Sequence, residues 1–323
     1  LVRGPEQLEA ALAQARAGSV AVFHDARVYL ERAVLPSRYV EVQLLGDQQG
    51  NLIHLGERDS SIQRNNQKII TESPAPYLNG AQRAELCDLA LRIARLFGCW
   101  SACTVEFVAG EDGAFLFTEI KPRIQVEHPV TEMVAGVDIV RSQLRTAWGD
   151  PLTIGQGDVL LRGSAMQCRI RAEDPWNNFL PSPGRIALFR QPGGPNVRVD
   201  TYAYSGCSIP LSYDPIFAKL IAWGRDREDC LNRIRRALEE TFITGVQTNL
   251  PLLQSVAAHP LFADGATTTA FLDDSGLLVA EENEAVPPEV LVAAAMGDTL
   301  DPSPSAEARA ADPWHVGPWR ALG

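Results

Sequence analysis

The order of elements along the 323 residues predicts a mixed fold, of the α+β or α/β class. Strand-like and helical segments follow one another irregularly, two pairs of strand-like segments flank short turn sequences, and no internal repeat is visible. The hydrophobic share of 46% is ordinary for a globular protein. The length allows roughly two domains.

The N-terminal third is predicted to hold two helices and a β-hairpin. Leu8, Leu12 and Ala15 fall on one face of the first helix, and Gly18 can end it. The later helix carries an apolar stripe at helical period. In chain order, the elements are a helix over 5–18, strands over 20–23 and 28–31, a hairpin of 39–45 and 51–55, and a helix over 81–97.

The remainder continues as hairpin, helix, strands and helix, and its composition then changes. The predicted elements are a hairpin of 104–109 and 114–119, a helix over 137–148, strands between 159 and 221, and a helix over 226–238. Beyond residue 272, the predictions are an acidic connector over 281–289, a short helix over 293–295 and a linker over 303–312.

Charge and cysteine content exclude several classes of function. The net charge of −11 argues against a general nucleic-acid binder, although a local basic cleft can still hold phosphate groups. No apolar run approaches the roughly 20 residues that span a bilayer. The six cysteines form no CxxC pair, which disfavours structural zinc and disulfides and favours the cytoplasm. Because the sequence begins with Leu1, we expect a segment of a longer chain.

Two glutamates of the second hairpin are candidate metal ligands. If Ala109 and Ala114 close a four-residue loop, Glu106 lies opposite Phe117 and diagonal to Glu119 on one face. Diagonal neighbours are about 7–8 Å apart, and two such carboxylates can share one or two hard divalent cations. Two solvated carboxylates are the alternative, and for an isolated pair the commoner one.

The segment after this hairpin alternates charged and apolar residues. If it stays extended, its charged positions share one face. Arginine as a bidentate donor, glutamine as a neutral donor and glutamate as a base can together bind a small oxyanion, whereas a solvated edge strand is the alternative. Thr131 is a candidate cap for the following helix. The charged positions are Glu119, Lys121, Arg123, Gln125 and Glu127.

A second polar cluster occupies residues 57–68. Its density of hydrogen-bond donors fits contact with a nucleotide or phosphate group, and it fits a solvated loop equally well.

Taken in order, these stretches resemble the biotin carboxylase component of biotin-dependent carboxylases, which is an ATP-grasp enzyme. The ordered motifs span residues 29–272. The stretches that carry the resemblance are 57–68 with the following Pro74-Ala75-Pro76, 119–132, 162–175 with 179–184, 213–215 leading to Lys219, and 245–249.

The resemblance implies an α+β fold, in which the C-terminal part of an ATP-grasp precedes the biotin carboxylase C-terminal domain, a mixed antiparallel sheet with helices. Residues 1–4 would directly follow a glycine-rich lid loop, so we expect this segment alone not to turn over ATP. The implied segments are the end of the lid subdomain (1–33), the ATP-grasp part with the metal and bicarbonate site (34–150), the C-terminal domain (151–275), and a linker with the start of a following carboxylase region (276–323).

The resemblance also assigns roles to individual residues. Glu106 and Glu119 would bind Mg²⁺ or Mn²⁺. Bicarbonate would lie against Lys68, Arg123, Gln125 and the backbone of Val126. Glu127 would be the base, and Arg169 would steady the phosphate and the biotin enolate. ATP would lie against Glu31, Arg32 and Val34, with Gln63 and Asn66 near its sugar. Tyr213 and Asp214 would line the biotin side, or serve only in packing and in a turn.

The implied activity is ATP- and bicarbonate-dependent carboxylation of carrier-bound biotin through carboxyphosphate. The implied setting is a cytoplasmic homodimer with a biotin carboxyl carrier and a carboxyltransferase, without nucleic acid or membrane. Residues 312–320 resemble the region that follows in acyl-CoA carboxylase α-subunits, and no Ala-Met-Lys-Met biotin-attachment motif is present.

Several positions depart from the family pattern. Asn66 stands where histidine is usual, a second histidine is usual near Tyr39, and Lys121 stands where asparagine is usual. An ammonium beside Mg²⁺ repels the ion or competes with it for Glu119. Ser60 and Ser164 replace a cysteine and a histidine. A degenerate, non-catalytic homologue with an assembly role is therefore an alternative. A different ATP-grasp ligase, such as half of a carbamoyl-phosphate synthase, is another.

Overall fold

The first half of the chain forms two β-hairpins with helices between and after them. The computed structural model describes residues 1–110, 112–279 and 292. Its elements, in chain order, are α1 (Pro5–Phe23), β1 (Ser37–Gly46), β2 (Leu52–Arg64), β3 (Gln67–Ser73), α2 (Gly80–Leu96), β4 (Ser101–Gly110), β5 (Phe115–Lys121), α3 (His128–Ala135) and α4 (Ile139–Trp148).

The second half is richer in short strands. After a 3₁₀ turn at Gln156–Asp158, the elements are β6 (Ser164–Arg171), β7 (Glu173–Asp174), β8 (Leu180–Pro181), β9 (Gly184–Arg185), β10 (Leu188–Arg190), β11 (Val197–Thr201), β12 (Ser208–Ile209), β13 (Ile216–Gly224), α5 (Arg227–Glu240), β14 (Phe242–Thr244), α6 (Leu250–Ala258), α7 (Pro260–Ala263) and α8 (Phe271–Asp274).

One antiparallel sheet connects the two halves. Its strand order is β11-β13-β6-β3-β2-β1-β4-β5, so that β3 of the first half pairs with β6 of the second. On one face, α2 packs against β1, β2 and β4, and α5 packs against β6 and β13. On the other face, α3 contacts β2, β3, β6 and β13. The site described below lies on this second face.

The predicted α+β class is confirmed, and both hairpins and the long helices form where predicted. Capping explains the helix positions: Asn79 and Gln82 form a reciprocal capping box on α2, and Asp138 and Asp226 cap α4 and α5. The left-handed Gly149 ends α4 at φ 104°.

Two strand predictions near the N-terminus are wrong. Residues 20–23 continue α1, which runs past Gly18 to the left-handed His24, because no proline or turn sequence interrupts it. Residues 28–31 are not part of a strand, and Tyr29 and Leu30 are exposed, since no neighbouring strand pairs with them. The predictions for 281–289, 293–295 and 303–312 lie outside the described residues.

Candidate functional site

A row of charged side chains crosses four strands of the sheet. Arg58 of β2 is directly opposite Glu41 of β1, Glu41 is opposite Glu106 of β4, and Glu106 is opposite Glu119 of β5. Directly opposite residues of antiparallel strands point to the same face, so four strands contribute to one polar surface. The residues between them, such as Val40, are buried in the core against α2.

The placement of Glu106 opposite Phe117 is wrong, and the shared face of the two glutamates is right. Phe107 pairs with Phe117 and Glu106 with Glu119, which leaves Thr118 as the extra residue of a β-bulge. The bulge brings the two carboxylates from a diagonal to a directly opposite relationship. A bulge has no reliable signal in a single sequence, which is why the regular register was predicted.

Arg58 donates hydrogen bonds to five side chains in the buried part of this surface, and its own side chain is fully buried. Its Nε donates to Glu41 at 2.7 Å and its Nη1 to Gln43 at 2.7 Å. The remaining bonds reach Thr131 at 2.9 Å, Gln125 at 3.0 Å and Thr104 at 3.4 Å. Arg58 therefore ties β1, β4, α3 and the loop before α3 to β2.

Sequence reasoning missed both Glu41 and Arg58 as site residues. The available signal was a single glutamate between Val40 and Val42 in an otherwise apolar strand, because a strand buried on both faces rarely holds an unpaired charge. Arg58 lay within the polar cluster 57–68, for which a solvated loop was an equal alternative. The cluster forms strands, and residues 57–61 are buried.

Lys68 joins the row from β3. Its ammonium donates to Glu41 and, at 2.8 Å, to Glu106. Burial alone would raise the pKa of the Glu41 carboxyl, but the positive charges of Lys68 and Arg58 outweigh it and hold that pKa at about 2. Burial likewise opposes the charge of Lys68, and the carboxylates of Glu41, Glu127 and Glu106 outweigh it and raise the pKa of Lys68. Both groups are therefore ionised at neutral pH.

Glu106 has further partners on both carboxylate oxygens. The Gln125 amide donates to the oxygen that also accepts from Lys68, and the Tyr39 hydroxyl donates to the other. Burial and the Glu106 charge raise the pKa of Tyr39, so its hydroxyl stays protonated as a donor. Tyr39 thus offers a hydrogen bond near the position where the family pattern has histidine.

The loop between β5 and α3 covers the row and brings a second ion pair to it. Arg169 of β6 donates to the carboxylate of Glu127, the residue that precedes α3. Gln125 and Glu127 are both buried. Val126 between them is partly buried. Of the residues assigned to bicarbonate, to the base and to the phosphate, the structure therefore places Lys68, Gln125, Glu127 and Arg169 around one buried polar cluster.

The prediction of one extended face over 119–127 is wrong. Strand β5 ends at Lys121, because Pro122 cannot donate to a ladder and turns the chain away. Arg123 is exposed, and its guanidinium donates to the Ile124 carbonyl at 2.9 Å, away from the buried cluster. Its assignment to bicarbonate stays a prediction. Thr131 does not cap α3, since it lies inside the helix and accepts from Arg58.

The residues assigned to the nucleotide fall in two places, a pocket beside the turn between β2 and β3 and the segment before β1. Gln63 and Asn66 line a pocket of about 310 Å³ together with Tyr39 and Thr269. Glu31 and Arg32 are exposed in the segment before β1, and Val34 lies against Gly110 at the end of β4. The structure thus groups Gln63 with Asn66.

The two residues assigned to the biotin side differ in their surroundings. Tyr213 is exposed, and Asp214 lies 3.4 Å from the Arg171 guanidinium, which also pairs with Glu173 at 3.0 Å. Asp214 accepts from the Ile216 amide at 3.0 Å, as a turn aspartate does.

Glu106 and Glu119 fit a divalent cation in donor type and in placement, because both are carboxylates and lie directly opposite each other. The described residues contain no group of three or more His, Cys, Asp or Glu arranged around a common ion. Lys121 forms an ion pair with Glu119 at 2.5 Å, and Lys68 forms one with Glu106 at 2.8 Å. A cation bound here would have to displace the Lys121 ammonium from Glu119.

Comparisons with known proteins match most of the chain to two family models. Residues 1–154 match the family described as carbamoyl-phosphate synthase L chain, ATP binding domain, and residues 167–274 match the biotin carboxylase C-terminal domain. The chain is 44% identical over 274 residues to a biotin carboxylase of a Nostoc species. This match covers 85% of the chain and 61% of the relative, so the chain spans less than two thirds of that protein's length.

Two solved structures are similar in fold to this chain over most of its length. The biotin carboxylase domain dimer of Hydrogenobacter thermophilus 2-oxoglutarate carboxylase, in complex with MgADP, ADP and bicarbonate, matches with a TM-score of 0.83 at 41% identity, over 86% of this chain and 61% of that one. Pyruvate carboxylase of Rhizobium etli matches with a TM-score of 0.81 at 42% identity, over 85% of this chain and 25% of that one. Within the described residues, no helix has the length and hydropathy to cross a bilayer.

Proposed function

Because the chain belongs to the biotin carboxylase family, we propose that its protein uses ATP and bicarbonate to carboxylate biotin on a carrier protein. The observation that carries this proposal is the buried cluster in which Glu127 pairs with Arg169 beside Gln125, Lys68 and Glu106. This cluster combines a carboxylate base with cationic and neutral donors, as the activation of a small oxyanion requires.

In the proposed reaction, bicarbonate binds against Lys68, Arg123, Gln125 and the backbone of Val126, and Glu127 accepts its proton. The anion must first draw Arg169 partly away from Glu127, because a carboxylate engaged by a guanidinium is a poor proton acceptor. The nucleophilic bicarbonate oxygen then attacks the γ-phosphorus of ATP, and ADP leaves. The carboxyphosphate formed breaks the bond between its carbon and the bridging oxygen to give CO₂ and phosphate, the phosphate takes the N1 proton of biotin, and N1 of the resulting enolate attacks CO₂. Arg169 steadies the phosphate and the biotin enolate.

The metal supplies charge neutralisation to the nucleotide phosphates when it is bound. Glu106 and Glu119 are the residues that would hold it. Glu106 is kept in place by Lys68, Gln125 and Tyr39, so its orientation does not depend on the ion.

The retained cluster supports catalysis over a non-catalytic assembly role. A chain kept only for its fold would gain nothing from burying four ionised groups, since an apolar cluster of the same volume is often at least as stable. Here Glu41, Arg58, Glu127 and Arg169 all remain and are paired.

We further propose an acyl-CoA as the final acceptor, on the resemblance of residues 312–320, which lie outside the described residues. The relatives include carboxylases of pyruvate and of 2-oxoglutarate. The same proposal includes the homodimer and the carrier and carboxyltransferase partners. It also includes the division of the chain into the segments 1–33, 34–150, 151–275 and 276–323.

The deciding experiment is bicarbonate-dependent ATP hydrolysis by the protein expressed from its native reading frame, with transfer of ¹⁴C-bicarbonate to free biotin as a second readout. We expect both in the wild type and neither in Glu127→Gln. Glu239→Gln, which changes an exposed carboxylate on α5, should keep both. A folded wild-type protein without bicarbonate-dependent hydrolysis would refute the proposal.

A further inference from the structure

The chain uses lysine very sparingly and places every lysine on the face that carries the site. Its sequence has 26 arginines and three lysines. Lys68 pairs with Glu41 and Glu106, Lys121 with Glu119, and Lys219 of β13 with Asp200 at 3.1 Å. Lys219 is also directly opposite Arg169. Lysine offers a compact and mobile charge where arginine offers a rigid fork, so an accessible lysine on this face is a point charge that can move.

Lys121 is the most accessible of the three. Its side chain is 31% exposed, against 11% for Lys68, and its partner Glu119 is 47% exposed, against 2% for Glu106. The Lys68 pairs are locked by burial and by further hydrogen bonds on Glu106. A solvent-exposed ion pair between flexible side chains is worth little and is readily exchanged.

The position of Lys121 also favours movement. It is the last residue of β5 and is followed by Pro122, so no further ladder pairing holds the chain on its C-terminal side. Its partner on β4 is Thr104, whose side chain is engaged by Arg58. An ammonium displaced from Glu119 at this strand end remains within reach of whatever anion lies beside the two carboxylates.

We propose that Lys121 is a displaceable counter-ion: a divalent cation replaces it on Glu119, and the released ammonium then pairs with a phosphate group of the anionic substrate. The exchange rests on the proposed function, which supplies a polyphosphate next to the metal. Without this exchange, Lys121 would only repel the metal ion. With it, the Lys121 ammonium neutralises negative charge on the substrate once the metal ion is bound.

Lysine footprinting tests the exchange without any turnover. Brief acetylation with acetic anhydride, quantified by peptide mass spectrometry, reports the three lysines of the chain separately. We expect Mg²⁺ to raise the reactivity of Lys121 about two- to fivefold, the range for release of an exposed ion pair, with Lys68 and Lys219 unchanged. Inorganic pyrophosphate added with Mg²⁺ should protect Lys121 again. Sodium chloride at equal ionic strength is the control for screening.

Glu119→Gln is the matched variant, because it removes the partner and keeps the shape. Its Lys121 should be reactive from the start and insensitive to Mg²⁺. If Mg²⁺ leaves Lys121 of the wild type unchanged while Glu119→Gln exposes it, the ion does not displace the lysine and the proposal is wrong. If pyrophosphate does not reverse the rise in Lys121 reactivity that Mg²⁺ causes, the released ammonium does not pair with a phosphate group, and that part of the proposal is wrong. Failure of the proposed function is seen separately, as absent bicarbonate-dependent ATP hydrolysis.

Discussion

Arg169 on β6 donates a hydrogen bond to the carboxylate of Glu127 at the start of α3, and this pair joins the two regions that match different families. Both side chains are largely buried, at 16% and 2% exposure. The pair lies where the sheet passes from the first half of the chain to the second, so neither region holds the site alone.

Glu127→Gln should abolish the proposed base. We expect kcat for bicarbonate-dependent ATP hydrolysis to fall by about 10²–10⁴, the usual contribution of a general base. The amide can still accept from Arg169, so the fold should persist, which circular dichroism checks. Glu239→Gln on the exposed face of α5 is the control. A variant with near wild-type kcat would exclude Glu127 as the base.

Arg58 should be among the most costly side chains to remove. Arg58→Met leaves Glu41 buried without its arginine, and we expect a loss of about 3–5 kcal/mol in the free energy of unfolding, measured with urea. Adding Glu41→Gln should recover part of the loss, because Glu41 then no longer carries a buried charge with Lys68 as its remaining cationic partner. Arg236→Met, which removes one member of an exposed ion pair on α5, should leave the free energy of unfolding close to that of the wild type. Equal losses in the free energy of unfolding for Arg58→Met and Arg236→Met would contradict the central structural role of Arg58.

The sequence predicted the elements far better than the register between them. Helices α2, α4 and α5 carry their caps in local sequence, so their positions could be anticipated. The bulge at Glu106, the end of β5 at Lys121 and the pairing of β3 with β6 depend on tertiary contacts. Glu41 escaped notice because its significance comes from partners 17 and 27 residues away, a separation no local pattern reveals.

Asn66 has a backbone role that explains its identity. It forms a two-residue turn between β2 and β3 with Asn65, and both have positive φ, at 61° and 51°, as a type I′ turn requires. Asn66→Ala should lower stability by about 1 kcal/mol, and Asn66→Gly should be nearly neutral. Nucleotide affinity, measured by calorimetry, then isolates the side chain: a drop in Asn66→Gly alone, without a stability loss, supports contact with the nucleotide.

Glu72 should make stability fall as pH rises. Glu72 of β3 is directly opposite Asp59 of β2, and burial raises the pKa of Glu72 to about 7 despite its bond to Arg227 at 2.7 Å. The folded protein then holds a proton that the unfolded chain releases above its ordinary pKa of 4.5. Stability should therefore decline by roughly 3 kcal/mol at most between about pH 5 and 7, and level off above.

Urea unfolding at pH 5 and pH 8 checks this slope. Glu72→Gln should match the wild type at pH 5 and exceed it at pH 8, whereas Glu239→Gln should follow the wild type at both. Burial also raises the pKa of Asp59, so a decline of the same sign should remain in Glu72→Gln. Burial lowers the pKa of His54 and of His128, which acts in the opposite direction in both proteins, so the difference between the two proteins is the decisive quantity. A Glu72→Gln variant that gains no stability over the wild type between pH 5 and pH 8 would contradict the raised pKa of Glu72.

Two fully buried glutamines allow a direct comparison of a satisfied amide with an unsatisfied one. Gln43 donates to the carbonyls of Leu44 and Cys103 and accepts from Arg58, whereas both polar atoms of Gln167 lack a partner among the described residues. An unpaired buried amide costs about 1–3 kcal/mol, and an apolar side chain of similar shape removes that cost. Gln167→Met should therefore be neutral or stabilising by about 1 kcal/mol, while Gln43→Met should destabilise by about 2 kcal/mol or more, since it also orphans an arginine donor. Urea unfolding of the two variants measures both values, and a destabilised Gln167→Met would contradict the unsatisfied state of its amide.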